Sequence, residues 1–520
     1  MTEAPAVANR FIWRELTLDR FLLGFLALAV MFALAVLWIG VSQPLLDQYF
    51  ARQTQTALTS YWLIRGGPIF AYETPVAGFP WSVPLEFPVY QIVVALLSSA
   101  GVPLDPAGRI VSFGFFFACL WPLRMLFRAL RFEPTAFLCV AIVFVLCPLY
   151  LYWGRTFMVE TCALFLSLLW LAYLARFFAE PKPASAAIAT LAGSLGILAK
   201  STTFPAFAVL GGLLFLTECY AAWRAGALAK RARPILLALL AIAVPFLIGT
   251  AWTVYSDMVK EHNEIGTRLT SHVLPFWTFG TWEQRVGATL WQDVILRRAL
   301  TDAFGYAAIP AVAIIGATLL RRDYAYAAAG ALLGFFVPFF VFTNLHIVHF
   351  YYQTANAIFI VAAAGLGVAS VASTKRIALA VVLLAVIVAG QLMYFRSAYA
   401  VYLIHDFSGE QLFRIAKLAR TQTPPGTSLI VIGDDWSSTI PYYAERKSLA
   451  IPNWLATESW QRMLAAPQKY LGDARLGGVV YRADKAPQDR ERKALVDAFV
   501  AGRTVLGEIG PWKLLAPDKQ

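Results

Sequence analysis

Apolar residues run in long blocks along most of the chain, at roughly 21–42, 110–130, 134–152, 161–178, 184–199, 204–223, 234–255, 303–320, 324–343, 354–373 and 377–394. About eleven such blocks approach the length a helix needs to cross some 30 Å of hydrocarbon. Between the first two lies a long mixed stretch, Pro44 to Gln91, too polar to cross a bilayer. From Asp47 to Ile64 the apolar residues Phe50, Ala57, Leu58, Tyr61 and Trp62 recur at helical spacing, while Arg52, Gln53, Gln55, Thr56 and Thr59 fall largely elsewhere around the helix. That pattern predicts an amphipathic helix lying on a membrane surface, with Asp47 as its N-cap or in its first turn and Gly66-Gly67 as its terminator. Prolines 68, 75, 80, 84 and 88 then predict an extended path, because each removes a backbone donor and fixes φ.

Past about residue 395 the period changes. Residues 411–423 read as a polar helix, Thr427 to Gly433 (TSLIVIG) and Gly478 to Tyr481 (GVVY) as buried strands, and 456–466 and 489–501 as further helices. The expectation is an all-α polytopic membrane domain over 1–395 and a small α/β domain over 396–520.

Composition agrees with the first of these. With 59% hydrophobic and 14% charged residues, the chain is not a soluble enzyme. The net charge of +12 could suggest nucleic acid, but its placement excludes that. Basic residues fall in alternate connections: Arg10, Arg14 and Arg20; Arg124, Arg128 and Arg131; Arg176 and Lys182; Arg224 to Arg233; Arg321 and Arg322; Lys375 and Arg376. The positive-inside rule makes these cytoplasmic, which puts the N-terminus inside and the C-terminal domain outside. No small-residue cleavage site closes the first segment, so it reads as a retained helix. Cys119, Cys139, Cys147, Cys162 and Cys219 lie in or beside apolar segments without CxxC spacing, as buried thiols do.

The opposite connections hold the candidate chemistry. Asp47, Glu73, Glu86 and Arg65 lie in the first, Arg109 at the second span, Arg155 and Glu160 in GRTFMVET, Lys200 after a short apolar segment, and His346, His349 and Tyr351 in NLHIVHFYY. Cations around a phosphate would stabilise a leaving group, and one carboxylate would serve as base to a hydroxyl. Each residue also has a plain structural reading: Arg109 anchors a helix end, Lys200 snorkels, Asp47 caps a helix. His346 and His349 lack a third metal ligand nearby, and Asp434-Asp435 reads as a turn or cap. Loop 256–302, with Trp277, Phe279, Trp282 and Trp291, reads as headgroup-level anchoring. A secondary transporter is the rival reading, yet no internal repeat relates the two halves and the charges gather at one face instead of the midplane.

Taken together, Asp47 after the first span, ARQTQTA, EFPVYQ, AGR at 107–109, GRTFMVET at 154–161 and LAKSTT at 198–203 resemble the polytopic GT-C glycosyltransferases of the protein mannosyltransferase and lipid A aminoarabinose transferase group, in particular their bacterial branch. The resemblance implies a GT-C fold with juxtamembrane helices in the first outer loop and a sugar donor on a polyprenyl phosphate. It implies Asp47 as catalytic base and Arg109 and Lys200 on the donor phosphate. Arg52 is grouped with those cations, and Glu86, Arg155, Glu160, His346, His349 and Tyr351 with substrate positioning. The acceptor would be a glycolipid, glycan or protein of a bacterial envelope, lipopolysaccharide included, reached from the outer face of the inner membrane. No cofactor is expected, and a divalent cation has no support in these residues. Relatives carry Asp-Glu where this chain has Asp47-Gln48, and a lysine where it has Glu86.

Overall fold

A computed structural model of the protein describes residues 4–519, with side chains from Thr17 to Asp518. Arg10, Arg14 and Gln520 fall outside the described side chains. Among the described residues, eight helices are long and apolar enough to cross a membrane: Thr17–Trp38, Leu104–Ala129, Glu160–Ala179, Phe204–Arg224, Ala232–Lys260, Thr289–Leu320, Arg322–Val341 and Ile377–Ile404. The three remaining apolar blocks are shorter helices, Pro134–Val145, Pro183–Ala199 and Ala357–Ser373. The first of them stops at Leu146 because Pro148, which has no N–H, restarts the helix as Pro148–Trp153. The chain is a multi-pass membrane protein with a small C-terminal sheet.

Internal contacts divide it into two compact units, Met1–Gly40 with Ser112–Thr250 and Pro275–Ile404, and Val41–Val111 with Ala251–Leu274 and His405–Gln520. The first unit is helical. Helix packing in lipid gains little from the hydrophobic effect and depends on close van der Waals fit, which small residues allow. Gly193 and Gly211 leave the space that Trp170 fills, and the Trp170 indole N–H donates to the Ala241 carbonyl at 2.9 Å. Gln391 uses one buried amide to bridge the carbonyls of Val143 at 3.0 Å and Ala303 at 2.8 Å.

The second unit holds the sheet. Its strands are β1 (Ser428–Ile432), β2 (Lys447–Ile451), β3 (Leu476–Arg482), β4 (Arg503–Ile509) and β5 (Trp512–Lys519), in the order β2-β1-β3-β5-β4. The first three are parallel and the last two antiparallel. Every residue of β1 is buried, as expected for an apolar run between two parallel neighbours. The outer edge of β2 is covered by the proline-rich loop. Ser448 N–H donates to Pro75 O at 3.0 Å, Gly78 N–H to Ser448 O at 3.0 Å and Ala450 N–H to Val76 O at 2.8 Å. An edge strand so paired offers no template for aggregation. This unit thus takes in residues 41–111 and 251–274 as well as 405–520.

The loop helix corrects the surface-lying expectation. It spans Phe50–Ile64 and buries Gln53, Thr54, Gln55, Thr56, Thr59 and Ser60 together with Ala57, Leu58 and Tyr61. It is an internal element whose polar side chains bond inward, as Thr59 to Thr74 at 2.9 Å and Thr54 to Thr439 at 3.1 Å. Its termination is as expected, with Gly66 at φ +84° just beyond Arg65.

Gly305 is required by its conformation and its close packing in the first unit. Gly305 has φ 59° and ψ −138°, and a Cβ there would lie 2.1 Å from the Gly390 carbonyl. Gly305→Ala is expected to destabilise by about 2–5 kcal/mol through backbone strain and overpacking, read as a lowered unfolding temperature in detergent. A melting temperature equal to that of wild type would contradict this packing.

Candidate functional site

In the second unit the chain turns sharply after the first span. Tyr49, at φ 54°, is the residue that precedes the Phe50–Ile64 helix, and Arg52 and Gln53 N–H groups donate to its carbonyl at 2.9 and 3.1 Å. Asp47 is therefore not the N-cap, a second correction to the sequence reading. The Gln53 amide instead reaches back to donate to Asp47 Oδ1 and, at 2.9 Å, to the Gln48 carbonyl. Arg109 Nη2 lies 4.0 Å from Asp47 Oδ2, and both side chains are 1% exposed. Arg109 also donates to the carbonyls of Val41 at 3.0 Å, Gln43, and Pro44 at 3.4 Å. A buried carboxylate is tolerated only with a cation and hydrogen bonds of this kind.

Two more carboxylates are fixed in the same unit. Arg52 donates to Gln55 Oε1 at 2.6 Å and forms an ion pair with Glu86. The EFP segment carrying Glu86 is clamped. Tyr72 OH donates to Glu86 O at 2.8 Å, Trp252 to Leu85 O at 3.0 Å and Ser256 to Pro84 O at 2.7 Å. Burial pushes the Tyr72 phenol well above its ordinary pKa, so it remains a donor. Asp105 accepts from the Tyr442 hydroxyl and, at 2.9 Å, from Tyr443, whose oxygen in turn accepts from Leu45 N–H at 2.6 Å. Thus the Thr439–Ala444 helix, close to four hundred residues along the chain, holds the backbone just before Asp47.

The first unit holds the other candidates. Lys200 closes the Pro183–Ala199 helix in an extended conformation, φ −164° and ψ 101°. Its ammonium pairs with Glu160, the first residue of the Glu160–Ala179 helix, with the two side chains 3% and 1% exposed. Lys200 Nζ also sits 3.9 Å from the Tyr352 ring centroid and 5.1 Å from that of Tyr351. His349 stacks on Tyr352 at 5.3 Å, and His346 meets Phe339 at 4.7 Å. Burial, then the charges of Lys200, Arg298 and His349, push the His346 pKa down to about 3, so its imidazole is neutral. Arg298 donates to the carbonyls of His346 at 3.2 Å and Ile347 at 3.1 Å. The Arg155 guanidinium donates to the carbonyls of Ile39 and Gly40, both at 3.2 Å.

The structure therefore gathers Asp47, Arg52, Glu86 and Arg109 in one unit and Arg155, Glu160, Lys200, His346, His349 and Tyr351 in the other. Gln53, Asp105, Tyr442, Tyr443, Arg298 and Tyr352 were not singled out in the sequence; the partners of Asp105, Tyr442, Tyr443 and Arg298 lie far along the chain, while Gln53 and Tyr352 read as ordinary polar and aromatic positions. Among the described residues, no group of three or more His, Cys, Asp or Glu is placed to hold a metal ion. Trp277, Phe279, Trp282 and Trp291 are exposed.

The sequence matches no protein-family model and no curated protein. Solved structures do match. ArnT from Cupriavidus metallidurans aligns over 95% of this chain and 98% of its own, with a TM-score of 0.61 at 14% identity, both in its apo state and bound to undecaprenyl phosphate. The oligosaccharyltransferase of Archaeoglobus fulgidus aligns over 95% of this chain and 73% of its own, with a TM-score of 0.58 at 13% identity. The same archaeal enzyme, AglB, has also been solved with an inhibitory peptide and a dolichol phosphate. The mycobacterial arabinofuranosyltransferase AftD aligns over 95% of this chain and 40% of its own, with a TM-score of 0.55 at 14% identity. These are all GT-C glycosyltransferases, and the chain has the GT-C fold.

Proposed function

We propose that this protein moves a sugar from a polyprenyl-phosphate donor to a hydroxyl of an envelope acceptor on the extracytoplasmic face of a bacterial inner membrane. The observation that carries the reading is Asp47, a buried carboxylate held between the Gln53 amide and the Arg109 guanidinium in a GT-C fold. Two structures with that fold, of ArnT and AglB, were solved with a polyprenyl-type phosphate. Asp47 takes the proton of the acceptor hydroxyl, the oxygen attacks the anomeric carbon, and the lipid phosphate leaves, so that the anomeric configuration inverts. A phosphate leaving group needs cations more than a proton. Lys200, with Arg52, is assigned to it, while Arg109, bonded to three carbonyls, fixes Asp47 and adds its charge. Arg155, Glu160, Glu86 and the His346 to Tyr351 segment position the substrates. A membrane location suits a donor whose lipid chain gains ~0.8 kcal/mol per buried CH₂.

Three outcomes are expected. Asp47→Asn keeps size and the acceptor for the Gln53 amide but loses proton affinity and the anion facing Arg109, so transfer in nanodiscs by the folded variant, assayed below its lowered melting temperature, should fall by roughly 10²-fold or more. Near-normal transfer would remove Asp47 from the base role. Lys200→Ala should weaken donor binding by about 1.5–3 kcal/mol, and should also destabilise the fold because Glu160 is left buried without its cation. Adding Glu160→Gln should recover melting temperature without recovering donor affinity, and recovery of both would make Lys200 purely structural. A reporter fused after Gln520 should be extracytoplasmic and one ahead of the first span cytoplasmic; finding both on one side would overturn the orientation. Mass spectrometry of envelope lipids and glycans from a deletion strain identifies sugar and acceptor together, and an intact glycan profile would sink the transferase reading.

A further inference from the structure

A cavity of about 500 Å³ opens within the second unit, away from the Asp47 carboxylate but against the same turn of chain. Its wall is built by the end of the Phe50–Ile64 helix, the start of the Leu104–Ala118 helix and the Thr439–Ala444 helix. The volume falls within the roughly 300–1,000 Å³ of small-molecule sites. Ser42 lines it four residues beyond the first span, and Leu104 lines it at the first residue of the second, so the cavity lies at the outer end of both spans.

Its chemistry is balanced. Arg65 and Lys417 bring two cations, Asp105 and Glu445 two carboxylates, and Tyr61, Tyr442 and Tyr443 three aromatic rings. Asp105 is already engaged by two tyrosine hydroxyls. Glu445 is held at the rim by Arg420 at 2.9 Å, and Arg65 lies 3.5 Å above the Tyr61 ring centroid. The lining thus mixes charges of both signs, two of them already engaged within the protein, and is not the single-sign cluster of cations that would select a phosphate. Groups that both donate and accept, as sugar hydroxyls do, find acceptors in Glu445 and donors in Lys417 and Arg65, while ring faces suit the apolar face of a pyranose.

We propose that this cavity binds a neutral carbohydrate unit of the acceptor, presented from the outer membrane surface. The assignment rests on the transferase reading above. It connects to Asp47 through Tyr443, which lines the cavity and accepts from Leu45 N–H at 2.6 Å, two residues before the base. Acceptor occupancy and the placing of Asp47 therefore share one side chain.

The test is transfer in nanodiscs from lipid-linked sugars extracted from the deletion strain to the envelope fraction of that strain, comparing wild type with Lys417→Ala, which removes a donor, and Ser98→Trp, which fills the cavity from the end of the Val89–Ser99 helix. The acceptor KM should rise about tenfold or more in both variants, with donor KM and melting temperature held. An unchanged acceptor KM in both variants, with active wild type, overturns the cavity assignment alone. A raised donor KM in place of a raised acceptor KM also overturns it, and would make the cavity part of the donor site. Absence of any transfer by the wild type overturns the transferase reading and the cavity assignment with it.

Discussion

A helix that ends at a membrane surface leaves carbonyls without partners, and in this protein two buried arginines supply them. Arg155 caps Ile39 and Gly40 in one unit, and Arg109 caps Val41, Gln43 and Pro44 in the other. Each guanidinium is removed from water, a cost of several kcal/mol that only dense hydrogen bonding offsets. For Arg109 the remaining compensation is the Asp47 carboxylate. The proposed base is thus held by the same interaction that closes the first span, so its position does not depend on a flexible side chain in a solvated loop.

The small sheet has a comparable role. Its β2 edge is completed by the proline-rich loop, and Lys447 pairs with Glu73 of that loop at 2.7 Å. Asn263 bonds three carbonyls of the same loop, Ala77 at 3.2 Å, Gly78 at 3.0 Å and Pro80 at 3.0 Å. The short helix after β1 then delivers Tyr442 and Tyr443 to Asp105. A loop rich in proline cannot satisfy its own carbonyls, because proline lacks the N–H that a partner strand would use. The sheet and the 251–274 segment supply those donors, which explains why one compact unit is assembled from three separate stretches of chain.

In the helical unit the Lys200–Glu160 pair is the corresponding constraint. Both charges are buried, and the aromatic faces of Tyr351 and Tyr352 complete the surroundings of the ammonium.

What could be read from the residues was whatever has a local period. Long apolar blocks announce spans because hydrocarbon thickness sets their length, the β1 run SLIVI is a short continuous apolar stretch, and the flanking helices of the tail are periodic. Asp47, Arg109, Glu160 and Lys200 stood out because charge at the end of a span is costly. The amphipathic pattern of Phe50–Ile64 identified the helix but misplaced it, since periodicity reports which residues share a face and says nothing of whether water or protein meets that face. Strands β2, β4 and β5 escaped notice because short mixed segments take their pairing from neighbours. Above all, the partners of the site residues were decided only by tertiary structure: Gln53 for Asp47, Glu86 for Arg52, Tyr443 for Leu45. A hydrogen bond between residues about four hundred positions apart leaves no trace in local pattern, because its energy comes from the geometry of the folded chain and not from the propensity of either segment.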